Sequence, residues 1–122
     1  MVVVVGDLVE YVGTVTPTAL SAEATVVSFG PETGAYIVEG YLSLSSLATG
    51  DTVVVTEYVG VDGVNFEKFL SVVFDSVQDV PVIRFHSKTL PKNCLYKVTV
   101  KQVGGTLRSF AYAFIKEVLS TA

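Results

Sequence analysis

Short stretches of alternating apolar and polar residues run through the chain, the pattern of β-strands that bury one face. Val and Thr, whose β-branched side chains favour strands, are frequent in these stretches, and Gly and Pro separate them. Helix signals are weak throughout. The pattern predicts nine strands, at residues 2–5, 8–15, 23–29, 35–44, 52–61, 64–74, 81–86, 95–103 and 106–118.

Strands of this number and spacing predict an all-β protein, an antiparallel β-sandwich that is jelly-roll-like. No repeat, low-complexity tract or linker interrupts the chain, so we expect residues 1–122 to form a single domain. Residues 1–22 are expected to be an N-terminal arm or an edge strand. Within them, the polar segment 13–22 is either part of the arm or a long loop.

The dipeptide Asp62-Gly63 predicts a β-hairpin with a two-residue loop, because such turns need positive φ at their central positions. This loop would place Glu57 opposite Lys68, a favourable cross-strand pair. The same register pairs Val61 with Val64, Val59 with Phe66, Val55 with Leu70 and Val53 with Val72, and this face is expected to be core. The opposite face is too apolar for bulk water and should be covered: Thr52, Val54, Thr56, Tyr58, Phe69 and Val73.

A second hairpin is predicted to turn at Gly104-Gly105. It would set Lys101 opposite Arg108, an unfavourable contact between like charges that an acidic partner would relieve. Its inner face is predicted to hold Tyr96, Val98, Val100, Leu107, Ala111, Ala113 and Ile115. Its outer face is predicted to hold Lys97, Lys101, Arg108 and Lys116 among Phe110, Tyr112 and Phe114, where lysines and aromatic rings can make cation–π contacts.

Composition adds a reason to expect association. Half of the 122 residues are hydrophobic, only 16% are charged, and the mean hydropathy is +0.56. Soluble domains average roughly 25% charged residues, and a folded chain of this mass exposes on the order of 6,300 Å². Because so few charges cannot cover that surface, part of it must face something other than water. A disordered tail and a basic nucleic-acid arm are excluded.

The charge is divided unevenly along the sequence. Residues 1–80 hold eleven acids and one base, a net charge of −10, and residues 81–122 hold seven bases and one acid, a net charge of +6, which together give −4. Either the two halves pair within one sandwich, or an acidic surface of one copy meets a basic surface of the next. The pI near 4.8 argues against nucleic acid as a partner.

Candidate catalytic and metal-binding residues are few. His86 and Cys94 could form a base–nucleophile pair, but each is the only residue of its type and no flanking motif accompanies them. They cannot supply the usual zinc ligands, so we predict no catalytic, cofactor or metal site. One cysteine allows no internal disulfide. The apolar start, residues 1–6, is too short to span a membrane and lacks the features of a signal peptide.

Three segments carry a resemblance in pattern: Asp51-Thr-Val-Val-Val-Thr-Glu-Tyr58, Leu90-Pro-Lys-Asn-Cys-Leu-Tyr-Lys-Val-Thr-Val100 and Gly105-Thr-Leu-Arg-Ser-Phe-Ala-Tyr-Ala-Phe114. Over about 70 C-terminal residues the chain resembles small β-sandwich proteins of viral, archaeal or metagenomic origin, the decoration and minor capsid type of virion accessory protein. The resemblance contains no catalytic signature. It implies an assembly role on a capsid or other virion lattice, and hence a location in the virion.

The sequence therefore predicts a structural, non-enzymatic protein that forms a homo-oligomer, with copies of itself as partners. The N-terminal strand, residues 2–5, is expected to add to a sheet edge, and the basic and aromatic hairpin face to dock on the next copy. The alternative is a ligand- or glycan-binding β-sandwich with Tyr58, Phe110 and Tyr112 as contacts, and a small hydrolase ranks third. The predicted interface residues are Val2, Val3, Val4, Val5, Tyr58, Phe69, Lys97, Lys101, Arg108, Phe110, Tyr112 and Phe114.

Overall fold

The computed structural model describes residues 2–121, and the regular secondary structure of these residues consists of strands. Eight strands are present where nine were predicted, because the first two predicted strands form one. Their bounds are β1 Val3–Val15, β2 Glu23–Phe29, β3 Tyr36–Ser43, β4 Thr52–Gly60, β5 Glu67–Asp75, β6 Val82–Leu90, β7 Leu95–Gly104 and β8 Phe110–Thr121.

The strands form two antiparallel four-stranded sheets that pack face to face. The first sheet has the order β1-β8-β3-β6 and the second β2-β7-β4-β5. The first strand pairs with the last, the second with the seventh, the third with the sixth and the fourth with the fifth. This nested pairing, with the chain crossing between sheets at almost every connection, is the jelly-roll arrangement of a β-sandwich. The predicted fold class is confirmed.

The core lies between the two sheets and is built from alternate residues of every strand except β1 and β5. On β7, Tyr96, Val98 and Val100 are fully buried, as the predicted inner face of that strand requires. The other large, fully buried apolar side chains come from β3, β4, β8 and the segment after β3, and they are Tyr36, Val38, Leu42, Leu44, Val53 and Phe110.

The N-terminal strand is longer than predicted. It runs unbroken from Val3 to Val15 with a register shift between Val5 and Asp7, where the pattern suggested a break. A Cβ atom on Gly6 would lie 2.7 Å from the Cβ of Ser120, so glycine lets β1 and β8 pass closely at the shift. β1 is an edge strand of the first sheet.

The predicted register of the β4–β5 hairpin is wrong. Glu57 lies opposite Leu70, and Lys68 lies opposite Tyr58. The cause is the turn: the Asp62 carboxylate accepts hydrogen bonds from the backbone N–H groups of Val64 and Asn65, which builds a longer loop than two residues. Over most of the hairpin the register differs from the prediction by two residues, which leaves each side chain on its predicted face. Val53 and Val55 are therefore core residues as predicted, but they lie opposite Phe74 and Val72.

The second predicted hairpin does not exist, because β7 and β8 lie in different sheets and residues 105–109 cross between them. The crossing reverses the predicted faces of β8. Phe110 and Phe114, predicted to face outward, are 0% and 2% exposed core residues, and Lys116 also points inward. Ala111 and Ala113, predicted to be buried, are exposed, Ile115 is half-buried, and Leu107 is 36% exposed. Lys101 lies opposite Glu23 rather than Arg108.

Candidate self-association surface

Exposed apolar side chains concentrate on two edge strands, β1 and β5. The described residues expose 6540 Å² in total, close to the surface expected for this mass. Large apolar side chains contribute to it on both faces of these strands, where a soluble monomer places polar residues. On β1 and the residue before it they are Val2, Val3, Val4, Val5, Leu8 and Val12, and on β5 they are Phe69, Leu70, Val72 and Val73.

The N-terminal end of β1 belongs to a two-stranded ribbon. Val3–Val5 pair with Leu119–Thr121, whereas β3 pairs with β8 over residues 112–118, and the Leu119 N–H donates to the carbonyl oxygen of Ala35 just before β3. The three valines are 61%, 39% and 47% exposed, and no third strand or opposing sheet covers them among the described residues. A two-stranded pair is marginally stable alone in water. This ribbon is therefore an apolar surface with an open hydrogen-bonding edge.

The sandwich is incompletely closed on the side of β5 and β6. A cavity of about 120 Å³ lies there, lined by Leu70, Val72 and Phe74 of β5 and by Ile83 and Phe85 of β6. Leu70 and Val72 face the inside of the sandwich by their register, yet they are 52% and 39% exposed. Both strands are outer members of their sheets. This side thus combines partly covered core residues with two open strand edges.

The charge division between the halves of the chain is explained within the molecule. Each ion pair found among the described residues joins a base from residues 81–122 to an acid from residues 1–80, as the intramolecular explanation requires. The pairs are Arg84–Glu39 at 3.6 Å, Lys88–Glu57 at 2.9 Å, Arg108–Asp51 at 2.7 Å and Lys116–Glu32 at 2.6 Å.

Arg108, predicted to face a neighbouring copy, holds a crossover loop of its own chain. Its Nε donates to Oδ2 of Asp51, which is 1% exposed, and the other carboxylate oxygen of Asp51 accepts from the backbone N–H of Thr106. Hydrogen bonds from the backbone of Ala48 and from Arg108 lower the pKa of Asp51 below its ordinary value. The backbone N–H of Arg108 also donates to the side chain of buried Gln102.

The basic and aromatic surface on the second sheet largely covers itself. The Lys97 ammonium lies 4.8 Å from the ring centre of Tyr58 and 4.3 Å from that of Phe66. The Tyr58 hydroxyl donates to Oε2 of Glu23 at 2.5 Å, and this hydrogen bond, with burial, raises the pKa of Tyr58. Lysine over aromatic rings of the same sheet is the alternative to an interface at this position.

The predicted interface residues fall into three groups. Val2, Val3, Val4, Val5 and Phe69 are exposed; Tyr58, Lys97, Lys101, Arg108 and Tyr112 are half-buried; Phe110 and Phe114 are core. Because Phe110 is buried, Tyr58, Phe110 and Tyr112 do not share the surface that the ligand-binding alternative needs. The exposure of Val12, Tyr41, Leu70 and Val82 does not follow from the sequence pattern, because it depends on the position of each strand in its sheet.

Few side chains outside this surface are candidates for catalysis or metal binding. His86 is exposed on β6, whereas Cys94 is buried before β7 with its Sγ 3.8 Å from the carbonyl oxygen of Val61. Within residues 2–121, no three His, Cys, Asp or Glu side chains are grouped as metal ligands. The same residues contain no helix with the length and hydropathy needed to cross a membrane.

Comparisons with known proteins place the fold beside two assemblies. No protein-family model and no curated protein matches the chain. A structure of Bacillus endospore appendages, described as disulfide-linked pili, is similar with a TM-score of 0.52 and 16% identity, covering 96% of this chain and 95% of that one. A VP2 subviral particle of infectious bursal disease virus is similar with a TM-score of 0.51 and 11% identity, covering 92% of this chain but only 32% of VP2.

Proposed function

We propose that this protein is a structural, non-enzymatic assembly subunit that associates with copies of itself through its sheet edges. The observation that carries the proposal is the apolar ribbon of Val3–Val5 and Leu119–Thr121 at an unpaired edge of the first sheet. An unpaired edge strand recruits another strand through its free backbone N–H and C=O groups. The ribbon carries apolar side chains on both faces, so a partner that covers either face buries apolar surface, which favours association.

The ribbon alone is too small to hold two copies together. Full burial of an exposed valine stabilises by roughly 1.5 kcal/mol or more, and a side chain that is already half-covered yields about half of that. The three valines of the ribbon supply only a few kcal/mol, whereas association costs an estimated 4–15 kcal/mol in lost freedom. The remaining apolar surface of β1 and that of the edge that receives it therefore take part, together with backbone hydrogen bonds along the edge.

We further propose that the assembly belongs to a virion, as a decoration or minor capsid protein on a capsid lattice. Two observations support this: the jelly-roll strand order, and the likeness in fold to VP2, whose structure is that of a subviral particle. The likeness to a pilus subunit supports a filament as the second form of assembly. Electron microscopy distinguishes free filaments from lattice decoration. The purified protein is imaged alone and after mixing with capsids isolated from the sample in which its sequence occurs.

Light scattering at micromolar concentration tests the proposed function directly. We expect an oligomer for the full chain and a shift toward monomer when residues 2–5 are removed. A matched control is Val77→Ser with Val80→Ser, which removes apolar side chains that are 62% and 79% exposed in a connection between strands. A full chain that remains monomeric, or a deletion that associates as the full chain does, would overturn the proposal.

A further inference from the structure

The four edge strands of the sandwich differ in charge. β1 carries Asp7 and Glu10 and no base, and β6 carries Arg84 and Lys88 and no acid. On the second sheet, β2 carries only an acid and β5 carries two acids and one base: Glu23 on β2, and Glu67, Lys68 and Asp75 on β5. The acidic edge β1 is thus matched by one basic edge, β6, which lies on the opposite side of the same sheet.

We propose that copies of this chain join head to tail in a continuous first sheet, with β1 of one copy added antiparallel to β6 of the next. This inference rests on the proposed function and names the two edges that meet. In this contact, Glu10 of β1 and Arg84 of β6 determine that β1 adds to β6, the acceptor edge, and not to another edge. Charge complementarity selects partners and sets register more than it adds affinity.

The strand directions permit this addition without turning the copy over. β1 is antiparallel to β8, β8 to β3 and β3 to β6, so β1 and β6 run in opposite directions. A copy translated along the sheet therefore presents its β1 to β6 in antiparallel orientation. The contact uses two different surfaces, so it repeats from copy to copy and generates an open filament, or a ring if the rotation between copies closes.

One register satisfies both charge and hydrophobicity. Val12, Ala113, Tyr41 and Arg84 are cross-strand neighbours, so the side chains of Val12 and Arg84 lie on the same outer face of the sheet. Placing Glu10 opposite Arg84 sets Val12 opposite Val82, and these valines are 73% and 53% exposed. Two exposed apolar side chains are thus covered by the same register that pairs the charges.

Arg84 is accessible to this partner. Its side chain is 53% exposed, and its distance to the Glu39 carboxylate is 3.6 Å, which is a loose surface pair of little energetic value. Lys88, the other base of β6, is directed inward to Glu57 and is 15% exposed, so it does not compete for Glu10. β5 is the rival acceptor, because it is the more apolar edge, but two of its three charges would face the acids of β1.

Oxidative cross-linking separates these acceptors. Val12→Cys with Val82→Cys tests β6, and Val12→Cys with Val73→Cys, on the exposed face of β5, is the matched control. β1 and β6 are three strand spacings apart in one copy, about 14 Å, which is beyond the roughly 4.4–6.8 Å Cα separation of a disulfide. A disulfide between positions 12 and 82 therefore joins two copies.

We expect the 12/82 variant to form a ladder of dimers and higher species and the 12/73 variant to form none. A ladder from the 12/73 variant that matches or exceeds the 12/82 ladder would overturn the inference. Absence of both ladders, while the wild-type chain scatters as an oligomer, would also overturn it and leave the proposed function standing. A monomeric wild-type chain would remove both.

Charge reversal gives a second, independent test. Glu10→Lys and Arg84→Glu each place like charges opposite one another, and we expect each to weaken association at low salt by about tenfold or more. The double variant restores opposite charges and should recover most of the loss. A double variant that associates no better than either single variant would contradict the β1–β6 contact, provided that circular dichroism shows all three folded.

Discussion

The Tyr96 hydroxyl donates a hydrogen bond of 2.5 Å to the Glu57 carboxylate, and both side chains are buried between the sheets. The ammonium of Lys88 lies 2.9 Å from the same carboxylate oxygen. Burial and the hydrogen bond with Glu57 raise the pKa of Tyr96 well above its ordinary value, so the phenol stays protonated and remains a donor. Because Lys88 comes from β6 and Glu57 from β4, this cluster ties the two sheets together beside the open side of the sandwich.

Removing the Glu57 carboxylate should destabilise the protein strongly. Glu57→Ala leaves the Lys88 ammonium and the Tyr96 hydroxyl without their partner in a buried place, and breaking a buried pair in this way costs about 3–5 kcal/mol in the free energy of unfolding. Equilibrium unfolding in urea measures the loss. Glu67→Ala on exposed β5 is the control and should change stability by less than about 0.5 kcal/mol. Similar losses in both variants would show that the cluster contributes nothing special.

Replacing the Glu57–Lys88 ion pair should be milder than breaking it. Glu57→Leu with Lys88→Met removes both charges and keeps apolar volume, and such replacements are often neutral or stabilising. We therefore expect the double variant to be at least about 2 kcal/mol more stable than Glu57→Ala in the same urea experiment. If the double variant is as unstable as the single one, packing rather than charge pairing determines the cost at this position.

Asp51 should make stability depend on acid pH. Its pKa is lower in the folded state than in the unfolded chain, so its stabilising effect is complete above about pH 4 and is lost as the pH falls through the folded value. The stability difference between wild type and Asp51→Asn should therefore be largest near neutral pH and shrink below about pH 4. Asp79→Asn, which removes an exposed carboxylate, is the control for the loss of one negative charge. A difference that is constant with pH would contradict this role of the charge.

The alternation of apolar residues was sufficient to predict the fold class and most strands, because the period of two depends only on which face each strand buries. Connections were harder. Asp62-Gly63 was predicted to form a two-residue loop, but the Asp62 carboxylate binds the backbone beyond it. Gly104-Gly105 was predicted to turn a hairpin, but residues 105–109 cross between the sheets. Buried Asp51, which is distant in sequence, and buried Gln102 hold this crossing by accepting hydrogen bonds from its backbone.

That single error reversed the faces of β8 and moved two aromatic residues from the predicted surface into the core. The alternation of residues along one strand does not determine which sheet that strand joins. The inner face of β8, which carries Phe110 and Phe114, could therefore not be predicted from it. The valines at residues 2–5 needed no such information, because successive side chains point to opposite faces of a strand and a sandwich buries only one of these faces. The division of charge along the chain likewise predicts that bases of residues 81–122 pair with acids of residues 1–80. Which base pairs with which acid depends on the topology of the sheets.

Gly40 should tolerate no side chain. A Cβ atom there would lie 2.3 Å from Cδ2 of the Phe114 ring, which packs directly over the glycine in the core. Gly40→Ala is expected to cost about 1–3 kcal/mol through overpacking, measured by thermal or urea unfolding. Gly104→Ala is the matched control, because its Cβ would meet its nearest neighbour at an ordinary 3.6 Å. Equal losses at both positions would mean that the Phe114 ring does not set the effect, since the smaller backbone freedom of alanine in the unfolded chain favours the folded state at both positions.

Association should respond only weakly to salt. Arg108, Lys88 and Lys116 are engaged by acids of their own chain. In the proposed contact between copies, apolar side chains and backbone hydrogen bonds therefore supply the affinity and one exposed charge pair selects the register. Screening of a single exposed pair changes affinity by less than about tenfold. We therefore expect light scattering to give apparent dissociation constants within about one order of magnitude between roughly 0.05 and 0.5 M NaCl. A fall of two orders or more would mean that several charge pairs form between copies, and it would contradict this prediction.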